Sequence, residues 1–292
     1  MIPIIERKMI KPINDTYRTV TVRVVEPEAP RLNIVYFHRF GGESLEFLSP
    51  AQELASVGCR VSAMEYLGHT ASEWLPKDDY APTHDVQFAR TLLAAQEGDL
   101  PLLIIANGWG CHVALQAMSA AAHAPVGAVL FDYVNAFNYN TDIVMPFDAA
   151  VARIVAESLP EFERELKRLA QPLGAYGVHM AELALKRAQD VGGLVSLRLD
   201  ASAFAPFSTE PDRVFTSGHL LGDPPCEVIV VNGRLAQFKN LLRPPQAGVV
   251  LSEKLRLLPT AKIDYLRWRG KTTAELLITF LRDKGLLEDT ML

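Results

Sequence analysis

The chain has 292 residues, 49% of them hydrophobic and 22% charged, and a formal net charge of −5. That is an ordinary globular composition, long enough for one α/β domain carrying an insertion, and its mild acidity gives no electrostatic reason to bind nucleic acid or an anionic membrane. No apolar run approaches the roughly 20 residues of a membrane span, and the apolar stretch in MIPIIERKMIKP is too short for a signal-peptide core.

Residues 17–26 (YRTVTVRVVE) alternate and are β-branched, which predicts a strand or half a hairpin, closed by Pro27 and Pro30. NIVYFH (33–38) is a continuous apolar run, the mark of a strand buried on both faces, and Arg39-Phe40-Gly41-Gly42 is a turn. A helix is expected over 45–57 with Gly58 as its stop, then a strand over 59–66 and a turn at Gly68-His69. A second helix spans 85–97, with Asp85 as its cap and Gly98 as its end. LPLLIIAN (100–107) has the strongest strand pattern. Gly108-Trp109-Gly110 follows at once, then an alanine-rich helix (111–122) and a strand (126–133). This alternation predicts βαβ units with right-handed crossovers and a mostly parallel sheet covered on both faces, the early antiparallel strand at one edge.

Residues 136–206 break the rhythm with two polar amphipathic helices, near 148–169 and 176–190, and read as an inserted helical lid on a core made of 1–135 and 207–292. The rhythm resumes with a strand at 226–233, a helix or loop over 236–256, a last strand at 261–268 and a closing helix at 273–285. Cys59, Cys111 and Cys226 are far apart in apolar contexts. They read as free thiols of a cytoplasmic protein, and no pair has metal-ligand spacing. Neither metal nor cofactor is expected.

Three segments, in this order along nearly the whole chain (30–285), resemble the α/β-hydrolase family. His38-Arg39-Phe40-Gly41-Gly42 is similar to its His-Gly-x-Gly segment, and Glu65-Tyr66-Leu67-Gly68-His69-Thr70-Ala71-Ser72 to its Asp-x-x-Gly-His-Gly-x-Ser segment. Ala106-Asn107-Gly108-Trp109-Gly110 looks like the nucleophile elbow, normally Gly-x-Ser-x-Gly. That tight strand-to-helix turn needs small residues two before and two after the nucleophile. Ala106 and Gly110 meet the need, which places Gly108 where the serine belongs. A frame with Cys111 as nucleophile would put Trp109 and Val113 at the crowded positions.

The resemblance implies an acid after Val231-Asn232-Gly233-Arg234, where there is no carboxylate, or at Asp132. It implies a histidine after the last strand, where the chain reads Arg267-Trp268-Arg269-Gly270-Lys271-Thr272, and the last histidine of the chain is His219. Nucleophile, acid and base of a Ser-His-Asp triad are thus missing from their usual places. By resemblance the amides of Phe40 and Trp109 form an oxyanion hole, which needs only backbone. His38 holds its loop or acts as a base. Asp132 is a general base or a loop-bonding aspartate. Arg39 clamps a carboxylate or phosphate, or points to solvent. His69 and Glu65 support their turns. Arg267, Arg269 and Lys271 put positive charge where an anionic ligand would be met, or lie in a solvated loop. Tyr133, Phe137, Tyr139 and Phe147 line a cavity or form the packing face of the lid.

Two functions follow. One is a pseudo-hydrolase that binds a small acyl or carboxylate-like ligand or a partner protein. The other is a non-hydrolytic enzyme, of lyase, cyclase or isomerase type, that uses the oxyanion hole with Asp132 or His38. Esterase or thioesterase activity through a serine is the least favoured.

Overall fold

The computed structural model describes residues 1–96, 100–131, 147, 149–206, 224–232, 255–259 and 270–287. The long apolar runs form the middle of a sheet. Strands β3 (Leu32–Phe37) and β5 (Leu102–Asn107) are buried at every residue, as their unbroken apolar sequence requires. With β1 (Ile4–Ile13), β2 (Thr16–Val25), β4 (Cys59–Met64), β6 (Gly127–Phe131), β10 (Val228–Asn232) and β11 (Leu255–Pro259) they make an eight-stranded sheet of order β1-β2-β4-β3-β5-β6-β10-β11. All pairs from β4 to β11 are parallel, while β2 runs antiparallel to both β1 and β4.

Alternate side chains of each strand serve two cores. Ile34, Tyr36, Leu103 and Ile105 pack with α1 (Leu48–Ser56) and α6 (Gly270–Asp283). Val35, Phe37, Ile104 and Ala106 pack with α2 (Pro82–Ala94) and α3 (Trp109–Ala117). The fold is the expected one: a mostly parallel central sheet flanked by helices.

Two expectations need correction. The antiparallel element is a full hairpin, with β1 at the edge and β2 inside the sheet. The helix with Asp85 as its predicted cap begins earlier, because Pro82 at its first position already has the helical φ and lacks only an amide that the helix end would leave unpaired anyway. Asp85 therefore lies inside the first turn and is buried. The strand beside β10 is Leu255–Pro259. The stretch 261–268, where a last strand was expected, lies outside the described residues.

Within 136–206 the described residues form α4 (Leu159–Ala170) and α5 (Gly174–Arg187), and, unexpectedly, a small sheet of β7 (Val155–Ala156), β8 (Gln189–Val191) and β9 (Leu194–Ser196) in the order β7-β9-β8. Ser158 caps α4 by accepting from the Glu161 amide, and Phe162, Leu166 and Ala170, four residues apart, form its buried face. This segment sits on the loops that follow β3 and β4. Thr70 donates its amide to the Arg198 carbonyl (2.7 Å), Asp200 its amide to the Gly68 carbonyl (2.8 Å), and the Phe40 and Phe204 rings meet edge to face at 4.7 Å.

Candidate functional site

Three parallel strands, β3, β4 and β5, end side by side, and the loops at their carboxyl ends form the site, as in open α/β sheets generally. At the end of β5 the chain turns sharply into α3. Gly108 is the pivot, with φ +54° and ψ −118°, a left-handed-side conformation that side chains rarely adopt. Its amide donates to the Phe131 carbonyl at the end of β6 (3.0 Å), and its carbonyl accepts from the Cys111 amide (3.1 Å). Gly110 is required by space, since a Cβ there would lie 2.2 Å from the Phe37 carbonyl oxygen. The frame that puts Gly108 at the nucleophile position thus has the tight geometry it needs. Cys111 is fully buried and directs its thiol to the Phe131 carbonyl at 3.3 Å.

Arg39 covers the place a nucleophile would occupy. A Cβ on Gly108 would fall 3.0 Å from Arg39 Cβ and 3.5 Å from its Cα. The Arg39 side chain does not point to solvent. It is 11% exposed and reaches Glu46 Oε1 at 3.2 Å. The same carboxylate oxygen meets Arg187, from the last turn of α5, at 3.1 Å, and Arg187 also donates to the Gly41 carbonyl. Burial disfavours charge on Glu46, but the Arg39 and Arg187 guanidiniums outweigh it and hold the carboxyl below its usual range.

Behind this lies a second buried carboxylate. Glu65 is fully buried, at the end of β4. Its Oε1 accepts from Arg23, from the Ser44 amide (2.9 Å) and from the Ser44 hydroxyl (2.6 Å), while His38 Nε2 stands 3.2 Å from its Oε2. Burial raises its pKa, but the His38 and Arg23 contacts and the Ser44 hydroxyl more than reverse this and keep it ionised. His38 Nδ1 faces the Arg39 carbonyl at 2.7 Å, and the Tyr66 hydroxyl donates to the His38 carbonyl at 2.8 Å. His38 thus holds the loop through Nδ1, while its Nε2 faces the Glu65 carboxylate.

His69 accepts from the Gly41 amide at Nε2 (3.1 Å), with its Nδ1 3.0 Å from the Leu67 carbonyl, an arrangement that fits only the neutral ring with the proton on Nδ1. Burial, reinforced by the charge of His38, pushes its pKa down to about 3. His69 supports its turn through the Leu67 carbonyl, as expected, whereas the Glu65 carboxylate supports not its own turn but the loop after β3, through Ser44.

Trp109 opens α3 and stacks on His112 with centroids 5.6 Å apart. Beneath it lies Asp85. Burial pushes this carboxyl up to about 7, against the opposing pull of the Leu67 amide and the Trp109 indole. A cavity of ≈ 10 Å³ lies between Arg39, Gly41 and Arg187 on one side and Phe147, Val151, Met180, Ala184, Leu197 and Leu199 on the other. It has room for about one water.

The structure brings together His38, Arg39, Phe40, Gly108 and Trp109 of the residues singled out in the sequence, and puts Phe147 on the apolar wall of the cavity. Asp132, Tyr133, Phe137, Tyr139, Arg267 and Arg269 lie outside the described residues, and Lys271 falls in the first turn of α6. Glu46, Arg187, Arg23, Ser44 and Asp85 were missed as site residues. Arg187 reads as a surface arginine complementing a helix C-terminus, and nothing in the sequence joins it to Glu46. Among the described residues no group of histidine, cysteine, aspartate or glutamate side chains has the arrangement of a metal site, and no helix is long and apolar enough to cross a membrane.

No protein-family model matches the chain. No curated protein matches it either. Solved structures do. An α/β hydrolase from Novosphingobium aromaticivorans DSM 12444 is 16% identical, with a TM-score of 0.63 over 94% of this chain and 99% of that one. The thioesterase domain from the curacin biosynthetic pathway is 16% identical, with a TM-score of 0.61 over 94% and 99%. The Cif epoxide hydrolase from Acinetobacter nosocomialis is 13% identical, with a TM-score of 0.60 over 94% and 89%. At these identities the likeness is one of fold, and the fold is that of the α/β-hydrolases.

Proposed function

We propose that the protein is a pseudo-hydrolase: an α/β-hydrolase fold without a Ser-His-Asp triad, whose pocket binds a small acyl or carboxylate-like molecule beneath a helical lid. The observation that carries this reading is Gly108 in the strained pivot of the elbow, with Arg39 packed over it. The position that would hold the attacking side chain has none, and a Cβ there would crowd the Cβ of Arg39 at 3.0 Å. A guanidinium beside an oxyanion-type turn favours binding of an anion over attack on a neutral ester. The thioesterase and the hydrolases of similar fold give the acyl class its support.

A second reading, non-hydrolytic catalysis with Asp132 or His38 as the base, draws on the retained elbow backbone. It is weakened by the full burial of His38 and by the engagement of its Nδ1 with the Arg39 carbonyl. Thermal shift against a panel of short acyl carboxylates, acyl thioesters and their uncharged analogues tests the proposal. Stabilisation by members of the panel that are recovered unchanged supports a binding protein. Conversion of any of them to product, with an intact substrate bond elsewhere, would transfer support to the enzyme.

A further inference from the structure

β1 is the outer strand of the sheet, and among the described residues no strand pairs with its free side. Which backbone groups face outward follows from the hairpin. Asn14 and Asp15 both have positive φ (48° and 61°) and form a two-residue turn between Ile13 and Thr16, and the residues flanking such a turn exchange both backbone bonds. Counting back from Ile13, the odd-numbered residues of β1 bond to β2, and the even-numbered ones turn N–H and C=O away from it. Thr19 and Thr21, opposite Ile10 and Lys8, bear this out: their carbonyls accept from the Glu73 and Glu65 amides, on the far side of β2.

The open edge is bounded at both ends. The Gln52 side chain takes the Ile2 amide and carbonyl (2.9 and 2.8 Å), and Pro12 has no amide to offer. Between them Ile4, Glu6, Lys8 and Ile10 face out, and among the described residues no backbone hydrogen bond engages them on that side. This stretch is centred on Arg7. A second copy running antiparallel about Arg7 would set Ile4 opposite Ile10, Ile5 opposite Met9 and Glu6 opposite Lys8. Lys8 otherwise bonds only neutral oxygens, Thr21 Oγ1 and the Ala71 carbonyl, and Glu6, which meets Arg23 at 2.9 Å, would be shared with it. Arg7 would face its own copy on the axis, each arginine keeping its Glu26 at 3.1 Å. A slip of two residues either way, the smallest that keeps outward groups facing each other, sets Glu6 against Glu6 or Lys8 against Lys8. Charges on an edge strand usually guard it against pairing. Here they penalise the neighbouring registers and favour one. The apolar surface fits as well: Ile4, Ile5 and Ile10 are 38%, 42% and 61% exposed, and Ile4 shares a groove with the exposed Leu45.

We propose that the protein forms a twofold dimer through β1, with the axis at Arg7, which joins two eight-stranded sheets into one. The dimer is independent of what the pocket binds.

Sedimentation velocity of the full chain over about 1–300 µM tests it. Wild type should show a concentration-dependent dimer. Glu6→Lys and Lys8→Glu each turn both cross-strand charge pairs into like pairs and should weaken self-association by about ten-fold or more. Mixed together, the two variants regain opposite pairs and should associate like wild type. A wild type that stays monomeric throughout overturns the proposal. So does a dimer that either variant keeps at wild-type strength, or one that the mixture fails to restore. Should either variant not fold, cross-linking decides. Arg7→Cys stands on the axis in a closely spaced pair and should form an intermolecular disulfide on mild oxidation, whereas Lys8→Cys, diagonal to its copy, should not. No cross-link from Arg7→Cys, or equal cross-linking of both, overturns the proposal.

Discussion

Gly108 and Arg39 pack so closely that a Cβ on Gly108 would lie 3.0 Å from Arg39 Cβ and 3.5 Å from its Cα, tighter than ordinary contact. The turn at Gly108 has φ +54° and ψ −118°, and with glycine at its pivot it presents no side chain.

Gly108→Ala should cost roughly 2 kcal/mol, part backbone strain and part collision with Arg39. The collision is with Arg39 Cβ, so Arg39→Ala leaves it in place and Arg39→Gly removes it. A double-mutant cycle by urea unfolding should therefore show the cost of Gly108→Ala falling by about 1 kcal/mol in the Arg39→Gly background and holding in Arg39→Ala. Equal costs in both backgrounds would contradict the contact.

Gly110→Ala tests the tight turn itself. Its Cβ would meet the Phe37 carbonyl oxygen at 2.2 Å and the carbonyl carbon at 2.6 Å, backbone atoms of a central strand that cannot yield. A loss of about 3 kcal/mol or more, or failure to fold, is expected by circular dichroism and denaturant unfolding. A cost under about 1 kcal/mol would mean that α3 does not approach β3 so closely.

Asp85 and His69 set the pH dependence of stability with opposite signs. The Asp85 carboxyl is raised by burial from 3.8 to about 7. The unfolded chain therefore ionises first, and stability from Asp85 is full below pH 3.8 and lost as pH rises to about 7. His69 is lowered by burial from 6.5 to about 3, so its contribution is full above pH 6.5 and lost as pH falls toward 3. Between these limits the two nearly cancel. Asp85→Asn keeps an acceptor for the Leu67 amide and removes one of them. Its stability should rise with pH from 4 to 6.5, whereas wild type stays nearly flat. A flat profile for the variant would refute the opposition.

Removal of Arg187 should loosen α5 before it loosens the sheet. Arg187→Ala leaves Glu46 with Arg39 alone and takes a donor from the Gly41 carbonyl, a loss of about 3 kcal/mol for a buried pair broken on one side. Amide exchange should accelerate across 174–187 while β3 and β5 keep their protection. Uniform acceleration in both would show that α5 is not held through this contact.

The sheet was legible because its strands are fully apolar and its helices periodic, and the elbow frame because crowding dictates small residues at Ala106 and Gly110. The contacts that make the site were not legible. Glu46 and Arg187 are 141 positions apart and join only in the folded chain. Asp85 looked like a cap because its burial depends on Pro82 starting the helix three residues earlier. The strand at Leu255–Pro259 is five residues interrupted by Arg256, and AKIDYLRW alternates more clearly downstream. The small sheet of β7, β8 and β9 has strands of two or three residues, too short for periodicity. Its one available signal was Gly192-Gly193 between Val191 and Leu194, the two-glycine hairpin turn that the structure contains, both with positive φ.

The most direct measurement is turnover of p-nitrophenyl and thioester acyl substrates by wild type and by Gly108→Ser. The pseudo-hydrolase reading predicts that neither protein exceeds the uncatalysed rate, the introduced serine lacking a base and crowding Arg39. Hydrolysis by wild type well above that rate would contradict the pseudo-hydrolase account.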